Sequence, residues 1–324
     1  MKPIAAALRK LLSRQVLAAS PYRPPPVVAW SGMDAASQIR EFLTSRRARI
    51  TPGAAGLPSH GRRRRVEGLR RDEVAMLAGI SVEYYTRLER GNAGGVSREV
   101  LDAVGDALQL DEAERTHLSD LVRNARPTGT PRRSPAVRVR PGVQRVLDVI
   151  DAPAIVRNGR LDVLAANHLG RAIYAPMFDS PATPTNFARY AFLDPDAPAF
   201  FGDWDSASND CVGLLRAEVG RDLYGRELTD LIGQLSTRSD AFRVLWARHD
   251  VRLHRRGPKV LHHPLVGEVS LHQESFTLPG DPSLMLAVYS PEPGSGSDDA
   301  IRMLASWLAA DASSVASEQT TTAT

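Results

Sequence analysis

Between residues 82 and 90 the chain reads VEYYTRLER, and before it stand Arg62, Arg63, Arg64, Arg65, Arg70 and Arg71. On a helix, Tyr85 and Leu88 lie three residues apart on one side, which leaves Val82, Glu83, Tyr84, Thr86, Arg87 and Arg90 on the outside. Val82, Glu83, Tyr84, Thr86 and Arg87 then present donors, acceptors and a small apolar group near a helix N-terminus, the equipment needed to meet base edges in a major groove. Glu83 cuts both ways, because a carboxylate accepts from cytosine N4 but is repelled by phosphate. The flanking arginines, with Arg90, suit phosphate neutralisation, which gives affinity and salt dependence without sequence information.

A second chemical cluster lies late in the chain, where His249, His254, His262, His263 and His272 follow one another closely. Imidazoles at such spacing fit a metal site or a general base. The cysteine and paired carboxylates that would complete either are not arranged nearby, and neither G-x-S-x-G nor H-E-x-x-H occurs. The expectation is therefore no metal site and no catalytic residue, with these histidines lining a pocket or serving structure.

The elements that must position the outward face can be read from caps and breakers. Val74, Leu77 and Ala78 share one face of a short helix, and Gly79 can take the left-handed conformation that ends it. Ile80 fills the wedge that follows, Ser81 caps the next helix, and Gly91 terminates it. Upstream, Asp34 caps a helix with Ile39, Phe42 and Leu43 inward. Downstream, Ser97 caps one with Val100, Leu101, Val104 and Leu108 inward, and Asp111 with Glu114 forms a capping box before Leu118, Leu121 and Val122. Five helices in a compact all-α bundle are expected, the second and third forming a helix-turn-helix.

With 324 residues, 43% of them hydrophobic, the chain can bury more than one core. The net charge of +4 conceals a basic first part and an acidic remainder from residue 141 on, a division that suits a polyanion bound by one module only. Cys211 is the single cysteine. It can form no internal disulfide, which fits a reducing, cytoplasmic setting. No apolar run reaches the roughly 18 residues that span a bilayer, so no membrane insertion is expected. Arg9, Lys10 and Arg14 interrupt the start of the chain where a signal peptide would be apolar. Residues 1–32 are expected to be a disordered extension or a mis-assigned start, with Met33 the better initiator. Pro- and Arg-rich residues 127–140 read as a linker between domains at 34–126 and 141–310, with 311–324 a disordered tail. In the second domain Asn158-Gly159 between two apolar runs signals a hairpin, a helix begins near Asn167, helical patterns fill 196–248, and three or four strands follow. That domain is α+β.

The run LAGISVEYYTRLERG resembles the Xre/Cro-type repressor helix-turn-helix. Over GLRRDEVAMLAGISVEYYTRLERG and VSREVLDAVGDALQLDEAERTHL, then LDVLAANHLGRAIYAPMF, FLDPDAPAFFGDW and KVLHHPLVGEVSLHQESF, the chain is similar to the MmyB-like family of regulators. The resemblance covers about residues 34–310. It implies a lambda-repressor-like bundle followed by a PAS-like ligand-binding domain, a homodimer, and a ligand that in at least one relative is fatty-acid-like; no cofactor is expected. The loop NAGGVS lacks the proline often found there. Were the ligand a carboxylate, Arg248, His249, Arg252, His254 and Lys259 are the cations around the first late strand, and Tyr174, Phe178 and Trp246 are among the aromatics that could line an acyl channel. An ordinary core predicts the same aromatics, and solvent-facing or locally paired side chains account equally well for the cations.

On these residues the chain fits three classes: a ligand-responsive transcription factor on a pseudo-palindromic double-stranded DNA operator, a helix-turn-helix fused to a metal- or His-dependent enzyme, or a protein-interaction module. The arginines favour the first.

Overall fold

The computed structural model describes residues 34–58, 66, 68–125, 138–181, 184–222, 225–248 and 257–321. Residues 1–32, Arg62 to Arg65 and most of the expected linker lie outside them. In chain order come α1 (Ala35–Arg49), α2 (Arg71–Leu77), α3 (Val82–Glu89), α4 (Arg98–Ala107), α5 (Glu112–Asn124) and α6 (Pro141–Val149). Next are β1 (Ala154–Asn158), β2 (Val163–Ala166), α7 (His168–Ile173), α8 (Ala175–Asp179), α9 (Phe187–Leu193) and α10 (Ala197–Phe200). The chain continues through α11 (Trp204–Arg221), α12 (Arg226–Arg238), α13 (Asp240–Trp246), β3 (Lys259–His263), β4 (Gly267–Leu278), β5 (Asp281–Ser290) and α14 (Gly296–Thr321). It divides into a helical unit, from residues 27–134 and 212–254, and a sheet unit built mainly from 135–211 and 255–324.

In the helical unit each expected cap is made. Ser37 N donates to Asp34 at 2.5 Å, Tyr84 N to Ser81 at 3.1 Å and Val100 N to Ser97 at 3.4 Å. Glu114 N donates to Asp111 at 2.8 Å while Asp111 N donates back to Glu114 at 3.2 Å, which satisfies two orphan donors reciprocally. Ile39, Phe42 and Leu43 of α1, Val74 and Ala75 of α2, Tyr85 and Leu88 of α3, Val104 and Leu108 after α4's start, and Leu118, Leu121 and Val122 of α5 share one core. Leu77 departs from expectation, being exposed. At 100° per residue Val74, Ala75 and Ala78 span the inward arc, and Leu77 falls off its edge. The proline-free loop after α3 is held by Ala93 and Val96, both buried in the same core.

The helical unit also contains residues 212–254, which the sequence reading assigned to the C-terminal domain. Ala217 of α11 joins the core of α1–α5. Asn124 Nδ2 donates to the carbonyls of Gly220 and Arg221 at 2.6 and 3.1 Å. Arg216 is 2% exposed. Its guanidinium lies 4.1 Å from the Trp246 ring centroid and donates to the Trp246 carbonyl. Burial draws its pKa down to about 10, partly offset by the Glu41 carboxylate, so it remains a cation at neutral pH.

The sheet unit carries a five-stranded sheet in the order β2-β1-β5-β4-β3, every pairing antiparallel. Ala154, Val156, Leu284, Leu286 and Val288 turn to one face, where they pack with Val143, Leu147 and Ile150 of α6. Ile155, Arg157, Met285, Ala287 and Tyr289 alternate to the other. The expected hairpin forms, but Leu161 rather than Gly159 takes positive φ, at 69°. The loop is longer than an Asn-Gly turn because Asn158 and Asp162 clasp each other: Asn158 Nδ2 donates to the Asp162 carboxylate at 2.9 Å and Asp162 N to Asn158 Oδ1 at 2.9 Å. Asn167 caps α7 as expected, accepting from Gly170 N at 2.7 Å. The last element, α14, runs from Gly296 to Thr321.

Candidate nucleic-acid interface

α3 rests on the core through Tyr85 and Leu88, both fully buried, and through Glu89, 1% exposed. The face turned outward carries Val82 at 40% exposure, with Glu83 and Arg87 exposed and Tyr84 and Thr86 half-buried. Tyr84 packs its ring against the core edge, and the Arg87 guanidinium lies 4.8 Å from the centroid of that ring. The stack holds a flexible cation in place, which lowers the entropy lost on contact with a base or phosphate. Gly79, at φ +64°, turns the chain from α2 into α3.

Behind this face sits an ion-pair network. Glu89 accepts from Arg47 Nε at 2.9 Å and Nη2 at 3.2 Å, and from Arg71 Nε at 2.9 Å. Burial alone would raise the Glu89 pKa; the bonds and charges of Arg47 and Arg71 outweigh it and hold the carboxyl below its ordinary value. The network ties α3 to α1 and to the first residue of α2, fixing the pose of the outward face. Sequence reasoning missed this role for Glu89. The available signal was its place four residues after Tyr85, on the buried side of a helix where an acid needs a partner.

The arginines separate by environment. Arg70 and Arg90 are exposed. Arg71 is half-exposed and already joined to Glu89 at 2.8 Å through Nη2, so its role is shared between fold and surface. Arg62, Arg63, Arg64 and Arg65 lie outside the described residues.

The residues considered for a ligand are distributed over both units. Tyr174, Phe178 and Lys259 belong to the sheet unit; Arg248 and Trp246 belong to the helical unit. His249, Arg252 and His254 lie outside the described residues. Tyr174 is buried with its ring 5.2 Å from Phe187 and 5.4 Å from Tyr289. Phe178 is half-buried beneath the Arg171 guanidinium, and Trp246 stacks on Phe242 at 5.4 Å. Lys259 pairs with Asp210 at 3.4 Å. Arg248 is exposed, its carbonyl accepting from Arg49. Of the late histidines, His272 is exposed, His262 lies 3.5 Å from Glu268, and His263 is buried with Nε2 3.0 Å from the Ala172 carbonyl. Burial keeps the His263 pKa low, which suits a neutral structural ring. Among the described residues no group of three or more His, Cys, Asp or Glu is placed to hold a metal ion.

A helix-turn-helix with an outward polar and cationic face, in a chain that also carries an antiparallel PAS-like sheet, defines a regulator that joins a DNA-binding domain to a sensory one. The comparison with family models agrees in both halves. The MmyB-like transcription regulator ligand binding domain matches residues 139–304, and a helix-turn-helix domain matches residues 46–118. The chain belongs to the MmyB-like family of helix-turn-helix transcription regulators. No curated protein matches it. Both matched families are regulatory, and the chain is a DNA-binding regulator with a small-molecule-binding domain. Among the described residues no helix is long and apolar enough to cross a membrane.

Proposed function

We infer that this regulator works in the cytoplasm as a homodimer, reading a pseudo-palindromic operator with α3, and that a fatty-acid-like ligand in the C-terminal domain sets its affinity. The observation that carries the reading is the split personality of α3. Tyr85, Leu88 and Glu89 are buried, while Val82, Glu83 and Arg87 remain exposed at its N-terminal end. Val82, Glu83, Tyr84, Thr86 and Arg87 read bases, and Arg62 to Arg65, Arg70, Arg71 and Arg90 hold phosphates.

Two recognition helices about 34 Å apart match successive major-groove faces of B-DNA. A ligand changes operator affinity only if it binds the competent and incompetent arrangements unequally, so the two binding events must be reciprocally linked. The test is selection of an operator from random duplexes, followed by anisotropy titrations with and without the small molecule found by native mass spectrometry of the purified chain. A two-fold-related consensus bound by a dimer, with affinity that shifts on ligand removal, is the expected result. Binding indifferent to sequence, or a monomer on a single half-site, refutes the reading.

A further inference from the structure

The sheet unit leaves large apolar side chains in water on one face. Val146 and Val149 of α6 are 51% and 81% exposed, and Phe276 of β4 is 54% exposed. Phe276 and Glu274 pair with Leu286 and Val288 across β4 and β5. Both of those partners turn to the α6 side of the sheet, so alternation brings His272, Glu274 and Phe276 to that side too. α6 starts at the β4–β5 turn, where Arg140 Nη2 donates to the Pro279 carbonyl at 2.7 Å, and ends where Asn167 Nδ2 donates to the Ile150 carbonyl at 3.0 Å. In between it seats Val143, Leu147 and Ile150 over β1 and β5. A right-handed helix running that way carries Val146 and Val149 on its β4 flank. The helix wall and the bare β4 floor make one apolar notch, with half-buried Leu286 and Val288 at its base.

The edges of the sheet, by contrast, are already answered. At β2, Val163 N donates to the Thr185 carbonyl at 2.9 Å and Phe187 N to the Leu161 carbonyl at 3.1 Å. At β3, Gly202 N donates to the Val260 carbonyl at 2.9 Å, and Phe201 bridges to Leu261. A strand from another chain could add at either edge only by displacing these bonds, so the open route to this sheet is its face. The rim of the notch carries both signs. Arg145 is exposed one turn before Val149, and Glu274 is exposed two residues before Phe276 on the floor. A two-fold contact brings identical patches together and must therefore be self-complementary. An apolar centre with a cation on its wall and a carboxylate on its floor meets that demand, whereas a partner of one charge would be repelled by half the rim.

We propose that this face is the contact between two copies of the chain, packed about a two-fold axis with Val146, Val149 and Phe276 at the centre and Arg145 of each copy against Glu274 of the partner subunit. The inference rests on the reading above that the regulator is a homodimer, and it says where the two chains meet. Removing the valines and the phenylalanine from water drives the association. The charged pair fixes its register more than its strength.

Sedimentation velocity of the full-length protein over a concentration series reads the test, with circular dichroism to check folding. The wild type is expected to sediment as a dimer. Phe276→Asp and Val149→Asp each raise the dissociation constant about a hundredfold or more, since a substitution at a two-fold contact enters twice. Val244→Asp, on α13 at 56% exposure, leaves the dimer unchanged. Arg145→Glu and Glu274→Arg each weaken it about tenfold, and combining the two in one chain restores it. Should an aspartate variant fail to fold, the charge-reversed chains decide. Full dimerisation in both aspartate variants, or a combined charge reversal no better than either alone, overturns the placement and leaves the homodimer standing. An intact dimer in Phe276→Asp, with faster hydrogen exchange in another segment of the same chain, gives the face to an intramolecular contact and overturns the placement equally. A wild type that stays monomeric at every concentration, with and without operator DNA, sinks the homodimer reading and this one together.

Discussion

Replacing Glu89 with glutamine tests whether the pose of α3 depends on the network behind it. The carboxylate is 1% exposed and receives Arg47, itself mostly buried, and Arg71, half in solvent. Removing one member of a buried pair costs about 3–5 kcal/mol, because the remaining charge stays uncompensated. The Arg71 arm adds no more than about 1 kcal/mol, since water screens it. Arg47 keeps its bond to the Leu69 carbonyl at 2.9 Å, and the glutamine carbonyl can still accept from it, which places the expected loss near the low end, about 3 kcal/mol. Hydrogen exchange of α3 peptides should then be about a hundredfold faster in the variant at pH 7, as each 1.36 kcal/mol is tenfold. The pH dependence has a fixed sign. A carboxyl whose folded pKa lies below its unfolded value contributes stability that is fully present above about pH 4.3 and is lost as the pH falls through the folded pKa. Thermal melts of the two proteins should therefore differ most near neutrality and converge as the pH falls through the folded pKa. Equal exchange at pH 7, or a difference that does not narrow in acid, would refute the assignment of Glu89 as the charged anchor of α3.

Arg87→Ala should weaken binding to the selected operator while leaving non-specific binding nearly intact. Arg63→Ala should lower affinity for every duplex and reduce the slope of log K against log salt by about one unit; anisotropy titrations over a salt series distinguish the two. Gly91 sits at φ +90°, and a Cβ there would run into the backbone of Ala36, so Gly91→Ala should cost about 3 kcal/mol or more from left-handed strain and overpacking combined. Gly79, at φ +64° with open space around it, provides the control. Its alanine variant should lose only about 1–2 kcal/mol, and urea titration of both measures the contrast.

Local signals carried much of the architecture. Caps at Asp34, Ser81, Ser97 and Asp111 depend on a side chain reaching an amide three residues on, so spacing alone announces them. The glycines that end α2 and α3 are equally local. What could not be read was decided by partners distant in sequence. Glu89 needs Arg47, forty-two positions upstream, and no periodicity connects them. Leu77 was misplaced because a seven-residue helix offers two plausible inward arcs. Leu161 took the left-handed position in the hairpin because the Asn158–Asp162 clasp, not the Asn-Gly pair, sets that loop. Arg157 passed unnoticed within an apolar strand, and it is the strand register with β5 that turns it to the face opposite α6.

The docking of Arg216, Ala217 and Trp246 into the helical unit means that the DNA-reading core is discontinuous along the polypeptide. During synthesis, α1 to α5 emerge first, but Arg216, Ala217 and Trp246 follow roughly 90 to 120 positions later, a wait of about 5–24 s at ribosomal speeds of 5–20 residues per second. Through that interval the bundle must persist with part of its surface uncovered. A nascent chain cut short at the expected linker would release a reader whose apolar flank, meant for α11, faces water.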